Sequence, residues 1–229
     1  MNMNIVYSED FPHFIELNGF LRSDKCPIAN YPIHVKKSFS NEKHIFFMTE
    51  QLTDNDNPEN YLYLNSLKNN SIYEIWTFSE YNIFILNKFG ITKTKFIKME
   101  AWDEYYQKLI SYNIDNTYDY DVCIVGWMND RREQIAQKIR EKGVNVKIIG
   151  YRNELFGDER DKIIRKSKIL LNVHFNDDMF CFEQIRCFPF ISVGQTIVSE
   201  NSFDKVESVI FSDYQNLPNK VYEILKLNF

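Results

Sequence analysis

The chain has 229 residues, 44% of them hydrophobic, which is enough for one large domain or two small ones. A net charge of −5 weighs against nucleic acid as a main partner, and no apolar run reaches the ~18 residues of a membrane span. Cys26, Cys123, Cys181 and Cys187 show no CxxC spacing, so reduced thiols in a cytoplasmic protein are expected.

The first ten residues lack the charged and apolar regions of a signal peptide and read as an opening strand, 4–7. Residues 21–43, with Pro27 and Pro32, read as loop with room for one edge strand. A strand is predicted over 44–48, a polar turn over 54–59, a helix over 61–67 and a strand over 73–77. The run 79–89 reads as a helix stopped by Gly90, and 94–97 as a strand. The polar stretch 113–120 marks a boundary.

Beyond it the alternation is clearer. Residues 121–127 form an apolar run through Gly126, and the Asp130 to Glu133 spacing predicts a capped helix with Ile135, Ala136 and Ile139 on one face. Strands follow at 144–149, 169–174, 196–199 and 208–211, with helices at 158–168, 180–193 and 216–227. Such alternation implies a parallel sheet, whose ligands bind beyond the carboxyl ends of the strands. Two α/β units are therefore expected, a shortened one over 1–112 and a second over 113–229. At the start of the 130s helix, a diphosphate would meet free backbone N–H groups and the guanidinium of Arg131 or Arg132. Packing or pairing with Asp130 is the plainer role for either arginine. Gly126 would allow close approach of the backbone to a ligand.

Several segments resemble one family. Residues 121–132 (DVCIVGWMNDRR) are similar to the opening of the C-terminal lobe in GT-B glycosyltransferases of the spore-maturation (CgeB-like) type. Residues 157–161 (GDERD), 168–175 (KILLNVHF), 182–186 (FEQIR) and 196–200 (TIVSE) agree with further motifs of that lobe, and 73–82 (YEIWTFSEYN) with one upstream. The resemblance implies a GT-B-like fold of two Rossmann-like lobes, the first shortened, acting on a nucleotide-sugar, UDP- or GDP-linked. It implies an acceptor that is a glycan or protein, and no obligate metal. Glu183 would bind the donor ribose, against the alternative of a solvated helix-start carboxylate.

Around it, Gly126, Asn129, Arg131, Arg132, His174 and Arg186 make up the expected donor-binding set. His174 could contact sugar or diphosphate, or be a strand-end histidine satisfied by backbone; Arg186 could contact diphosphate or pair with Glu183. An acceptor hydroxyl needs a general base. Asp10, His13 and Glu50 follow predicted strands, and His13 and Glu50 are the catalytic candidates. Trp76 and Tyr81 could stack on a sugar or pack in the core. The alternative function is a non-catalytic nucleotide- or sugar-binding module, or a partner subunit of a transferase; self-association is also open.

Overall fold

The computed structural model describes residues 5–6, 14–35, 42–54, 58–68, 70–150 and 157–228. His13 and Asp10 lie outside them. The fold is α/β with parallel sheets, compatible with a Rossmann-like arrangement. Its contacts divide the chain into two units. Met1–Trp102 joins Asp178–Ile185 in the first, and Asp103–Asp177 joins Arg186–Phe229 in the second.

In the first unit, β1 (Ile5–Val6), β2 (Ile33–His34), β3 (His44–Met48), β4 (Ile72–Thr77) and β5 (Thr94–Phe96) pair in sequential order, all parallel. Every side chain of β3 is buried, as expected of a strand covered on two faces. β2 lies inside the sheet rather than at its edge, between β1 and β3.

Helices α1 (Phe14–Arg22), α2 (Pro58–Ser66) and α3 (Glu80–Lys88) complete this unit. α1 falls where no helix was expected, although Leu17, Phe20 and Leu21 have helical spacing and are fully buried. Ser79 caps α3 by accepting the Asn82 N–H at 3.1 Å. The buried Asn82 carboxamide in turn donates to the Glu50 carbonyl at 2.9 Å and accepts from the Leu52 N–H at 2.9 Å. It thereby ties the exits of β3 and β4 together. Trp76 is a core residue, 1% exposed, and Tyr81 packs into the cluster of Phe46, Ile75 and Ile85.

The second unit begins with α4 (Asp103–Ser111), also unanticipated. Its sheet contains β6 (Tyr120–Val125), β7 (Val146–Ile149), β8 (Ser167–Asn172), β9 (Thr196–Glu200) and β10 (Val209–Ser212). They lie in the order β10-β9-β8-β6-β7, all parallel. The helices are α5 (Asp130–Arg140), α6 (Gly157–Arg165), α7 (Gln184–Ser192) and α8 (Leu217–Asn228). Ile135 and Ile139 of α5 and Val221 and Ile224 of α8 bury one sheet face, made of Val122, Ile124, Ile169, Leu171 and Val198.

Two helix starts differ from expectation. α5 is capped by Asn129, whose side-chain oxygen accepts the Arg132 N–H at 3.1 Å, so Asp130 is the first helical residue rather than the cap. α7 begins at Gln184, not near residue 180, because Asp178–Ile185 packs with the first unit. Within that unit the Gln184 amide donates to the Phe78 carbonyl at 2.8 Å.

A buried polar group braces α4 against α6. The Tyr105 hydroxyl donates to Asp161 at 2.7 Å, and Arg160 pairs with the same carboxylate at 2.6 Å. All three are at most 5% exposed, so these residues of the GDERD segment hold helices together. All four cysteines are buried thiols, and burial pushes the Cys123 thiol up to about 12. Among the described residues no helix is long and apolar enough to cross a membrane.

Candidate functional site

The strand order of the second unit fixes where a ligand would enter. From β6 the chain steps to β7 on one side and then returns to β8 on the other. The gap between the carboxyl ends of β6 and β8 is therefore a topological switch point, the place where open parallel sheets bind ligands. Two segments flank it, Gly126–Asn129 leaving β6 and Val173–Asp177 leaving β8.

Gly126 has φ of +127°, a conformation that side-chain-bearing residues rarely adopt. A Cβ placed on it would stand 3.0 Å from Nη1 of Arg132 and 3.1 Å from Nη2 of Arg186. The glycine thus lets two guanidinium groups, one from the first turn of α5 and one from the first turn of α7, close on a single point. Arg132 is held by its own geometry: it is 2% exposed, and it donates to the Val173 carbonyl at 2.9 Å and to the Trp127 carbonyl at 2.7 Å. Arg186 is oriented by Asn172, the last residue of β8, at 3.0 Å.

Arg131 points elsewhere. It donates through both terminal nitrogens to Glu200 at the end of β9, through Nε to Asp177 at 2.8 Å, and to the His174 carbonyl at 3.1 Å. Its guanidinium also lies 3.9 Å from the centre of the Tyr214 ring, and the Tyr214 hydroxyl donates to the Arg131 carbonyl at 2.8 Å. Burial alone would lower the pKa of Arg131, but the hydrogen bonds to Glu200 and Asp177 carry it above its ordinary value. Burial raises Tyr214, partly offset by the positive charge of Arg131. Arg131 is thus the strut joining four segments, while Arg132 and Arg186 are the pair that converges.

His174 is 2% exposed. Its main chain does the joining: its N–H donates to Glu200 at 3.0 Å, and its carbonyl receives Arg131. Its Nε2 lies 3.1 Å from the Asn201 carbonyl and 3.2 Å from the Ser202 hydroxyl. Asn129 serves as helix cap and also donates to the Phe175 carbonyl at 2.6 Å, linking the two flanking segments directly. Above them lies a pocket of about 440 Å³ lined by Asn129, Asp130, Arg131, Phe175, Asn176 and Asp177. Phe175, in its lining, presents exposed aromatic surface, and Trp127, leaving β6, is exposed as well.

Two expected residues lie in the first unit. Glu183 accepts a hydrogen bond from the Gln51 amide, and Glu50 is exposed past the end of β3, near the Thr49 hydroxyl at 3.3 Å. Glu200 and Asn172, which set the arginine geometry, were not among the expected site residues. Their signal was position: each is the last residue of a parallel strand. No group of three or more metal-ligating side chains occurs among the described residues.

No protein-family profile matches the chain, and no solved structure matches it. Three proteins of Acanthamoeba polyphaga mimivirus, each named only as uncharacterized, are similar to about half of it. One is 34% identical over 117 residues, covering 47% of this chain and 13% of that protein. A second is 32% identical over 107 residues, covering 47% and 32% respectively. The third is 30% identical over 116 residues, covering 46% and 39%. The chain therefore corresponds to well under half the length of the relatives it matches, and it is similar to viral proteins whose names state no activity.

Proposed function

We propose that the second unit binds the diphosphate of a nucleotide-sugar and that the protein is a metal-independent glycosyltransferase of GT-B type. The observation that carries this reading is the convergence of Arg132 and Arg186 on Gly126 at the switch point of a parallel sheet. Two fixed guanidinium groups suit a group carrying two negative charges, because each brings a permanent positive charge and N–H donors that favour phosphate oxygens. Transfer breaks the bond between the anomeric carbon and the diphosphate, which leaves with the electron pair. The acceptor oxygen forms the new bond and gives its proton to a general base. Charge grows on the leaving diphosphate along this path, so preorganised cations there favour the transition state over the ground state. They also supply positive charge that a metal would otherwise bring.

Calorimetry with inorganic pyrophosphate, UDP and GDP tests the reading. Arg186→Ala and Arg132→Ala are each expected to weaken pyrophosphate binding about tenfold or more, the effect of one lost charged hydrogen bond of ~1.5–3 kcal/mol. Equal binding by wild type and both variants sinks the assignment. A second reading, a binding module that serves a larger protein, is favoured by the small share of the viral relatives that the chain matches. It predicts nucleotide binding without release of sugar from any nucleotide-sugar.

A further inference from the structure

The charge around the switch point is divided. On the Gly126 side stand the guanidinium groups of Arg132 and Arg186. At the start of α5 the pocket carries the carboxylates of Asp130 and Asp177, and Arg131, the one cation among its described lining residues, is shared between Asp177 and Glu200. Two carboxylates, Asp177 and Glu200, therefore share the donors of one guanidinium, and Asp130 adds a further carboxylate to the pocket. Phe175 borders both regions. Its ring lies 5.6 Å from the guanidinium carbon of Arg132, and it also lines the pocket. Asn129 and Asn176 complete the lining with groups that can donate and accept.

We propose that this pocket selects the sugar joined to the phosphate: an uncharged or amino-bearing polyol is accepted, and a sugar carrying a carboxylate is rejected. The inference rests on the reading of Gly126 as the phosphate subsite and goes beyond it by naming the class of sugar. Carboxylate and carboxamide side chains can each take hydroxyl donors in pairs, and the exposed ring of Phe175 offers an apolar face to ring C–H groups. A sugar acid in the same place would set a negative charge against Asp130 and Asp177, while Arg131, the one cation among the described lining residues, is already paired with Asp177 and Glu200. Such like-charge contact is how a site excludes a wrong ligand rather than merely failing to attract it.

The test uses the full chain and two probes that share the phosphate and differ only at the sugar, glucose 1-phosphate and glucuronate 1-phosphate, with pyrophosphate as control. Calorimetry is expected to show glucose 1-phosphate bound at least about tenfold more tightly than glucuronate 1-phosphate, a difference of ~1.4 kcal/mol. Asp177→Asn combined with Asp130→Asn keeps the shape of the pocket, both side chains are exposed, and the carboxamide at 177 can still accept from Arg131. In that variant the difference is expected to shrink to less than about threefold, with pyrophosphate affinity little changed. Equal binding of the two sugar phosphates by the wild type overturns the inference, as does pyrophosphate binding with no binding of either sugar phosphate. Both results leave the phosphate reading standing. Loss of the preference for glucose 1-phosphate in Arg186→Ala, with none in the double variant, also overturns it. Failure of pyrophosphate itself to bind removes the phosphate subsite and the inference together.

Discussion

Arg131 gives both terminal nitrogens to the carboxylate of Glu200, one of them at 2.7 Å, across the gap between the start of α5 and the end of β9. The two side chains are only 14% and 11% exposed, so neither charge has much water to fall back on. Arg131→Ala should therefore cost about 3–5 kcal/mol of stability, because it strands a largely buried carboxylate. Arg131→Met with Glu200→Leu should cost much less than the sum of the single changes. Urea denaturation of the four proteins in the cycle checks this, and additive losses would count against it.

Gly126→Ala should damage both folding and binding. Its backbone sits at φ +127°, and the added methyl would press on Arg132 and Arg186 at about 3 Å. Strain of this kind costs about 1–3 kcal/mol. Pyrophosphate binding should fall further than stability does, since the guanidinium groups must move apart. A variant with unchanged calorimetric affinity would show that the glycine serves the chain turn alone.

Tyr105→Phe isolates the brace between α4 and α6. The change removes one hydrogen bond to the Asp161 carboxylate while keeping the buried ring, so a loss of about 1.5–3 kcal/mol is expected. Pyrophosphate affinity should stay at the wild-type value. Equilibrium denaturation reads the first outcome and calorimetry the second.

Acid should loosen the first sheet locally. His34 and His44 are buried and stacked, with ring centres 4.1 Å apart. Burial lowers the pKa of His34 below its ordinary 6.5, the neighbouring His44 lowers it further, and Glu42 opposes both. The folded state thus binds a proton less readily than the unfolded state. The contribution to stability is complete above about pH 6.5 and is lost as the pH falls through the depressed folded value. Amide exchange at Ile33–Val35 should be faster at about pH 5.5 than at about pH 7.5, after correction for intrinsic rates, and His34→Gln should flatten the difference. Equal protection at the two values would refute the account.

Sequence periodicity revealed the alternation of the second unit well, because strands buried on two faces read as continuous apolar runs, as in 122–125 and 169–171. It did not reveal which of two adjacent arginines faces the ligand gap. Successive helical residues point about 100° apart, and the phase of α5 is set by Asn129 as cap and by Ile135 and Ile139 in the core. That phase turns Arg132 toward Gly126 and Arg131 toward Glu200. α1 and α4 were missed for a simpler reason. Each is nine residues long and buries a few side chains, such as Leu17, Phe20 and Leu21 or Tyr105 and Leu109, too short a period to stand out. The place of Glu183 depended on where α7 begins, and Gln184 and Cys181 settle that through hydrogen bonds with Phe78 and Ser79, about a hundred positions earlier.

The segment Asp178–Ile185 also has a consequence for how the protein is made. Cys181 belongs to the core cluster of the first unit, and Gln184 satisfies the Phe78 carbonyl there. When residue 102 has left the ribosome, that unit still lacks a piece of its own interior, and residues 103–177 must be synthesised before the piece arrives. A nascent chain stalled between these points would carry an unfilled core and an unsatisfied carbonyl at the end of β4. Vectorial synthesis therefore cannot finish the two units one after the other; the first closes only after three strands of the second have emerged.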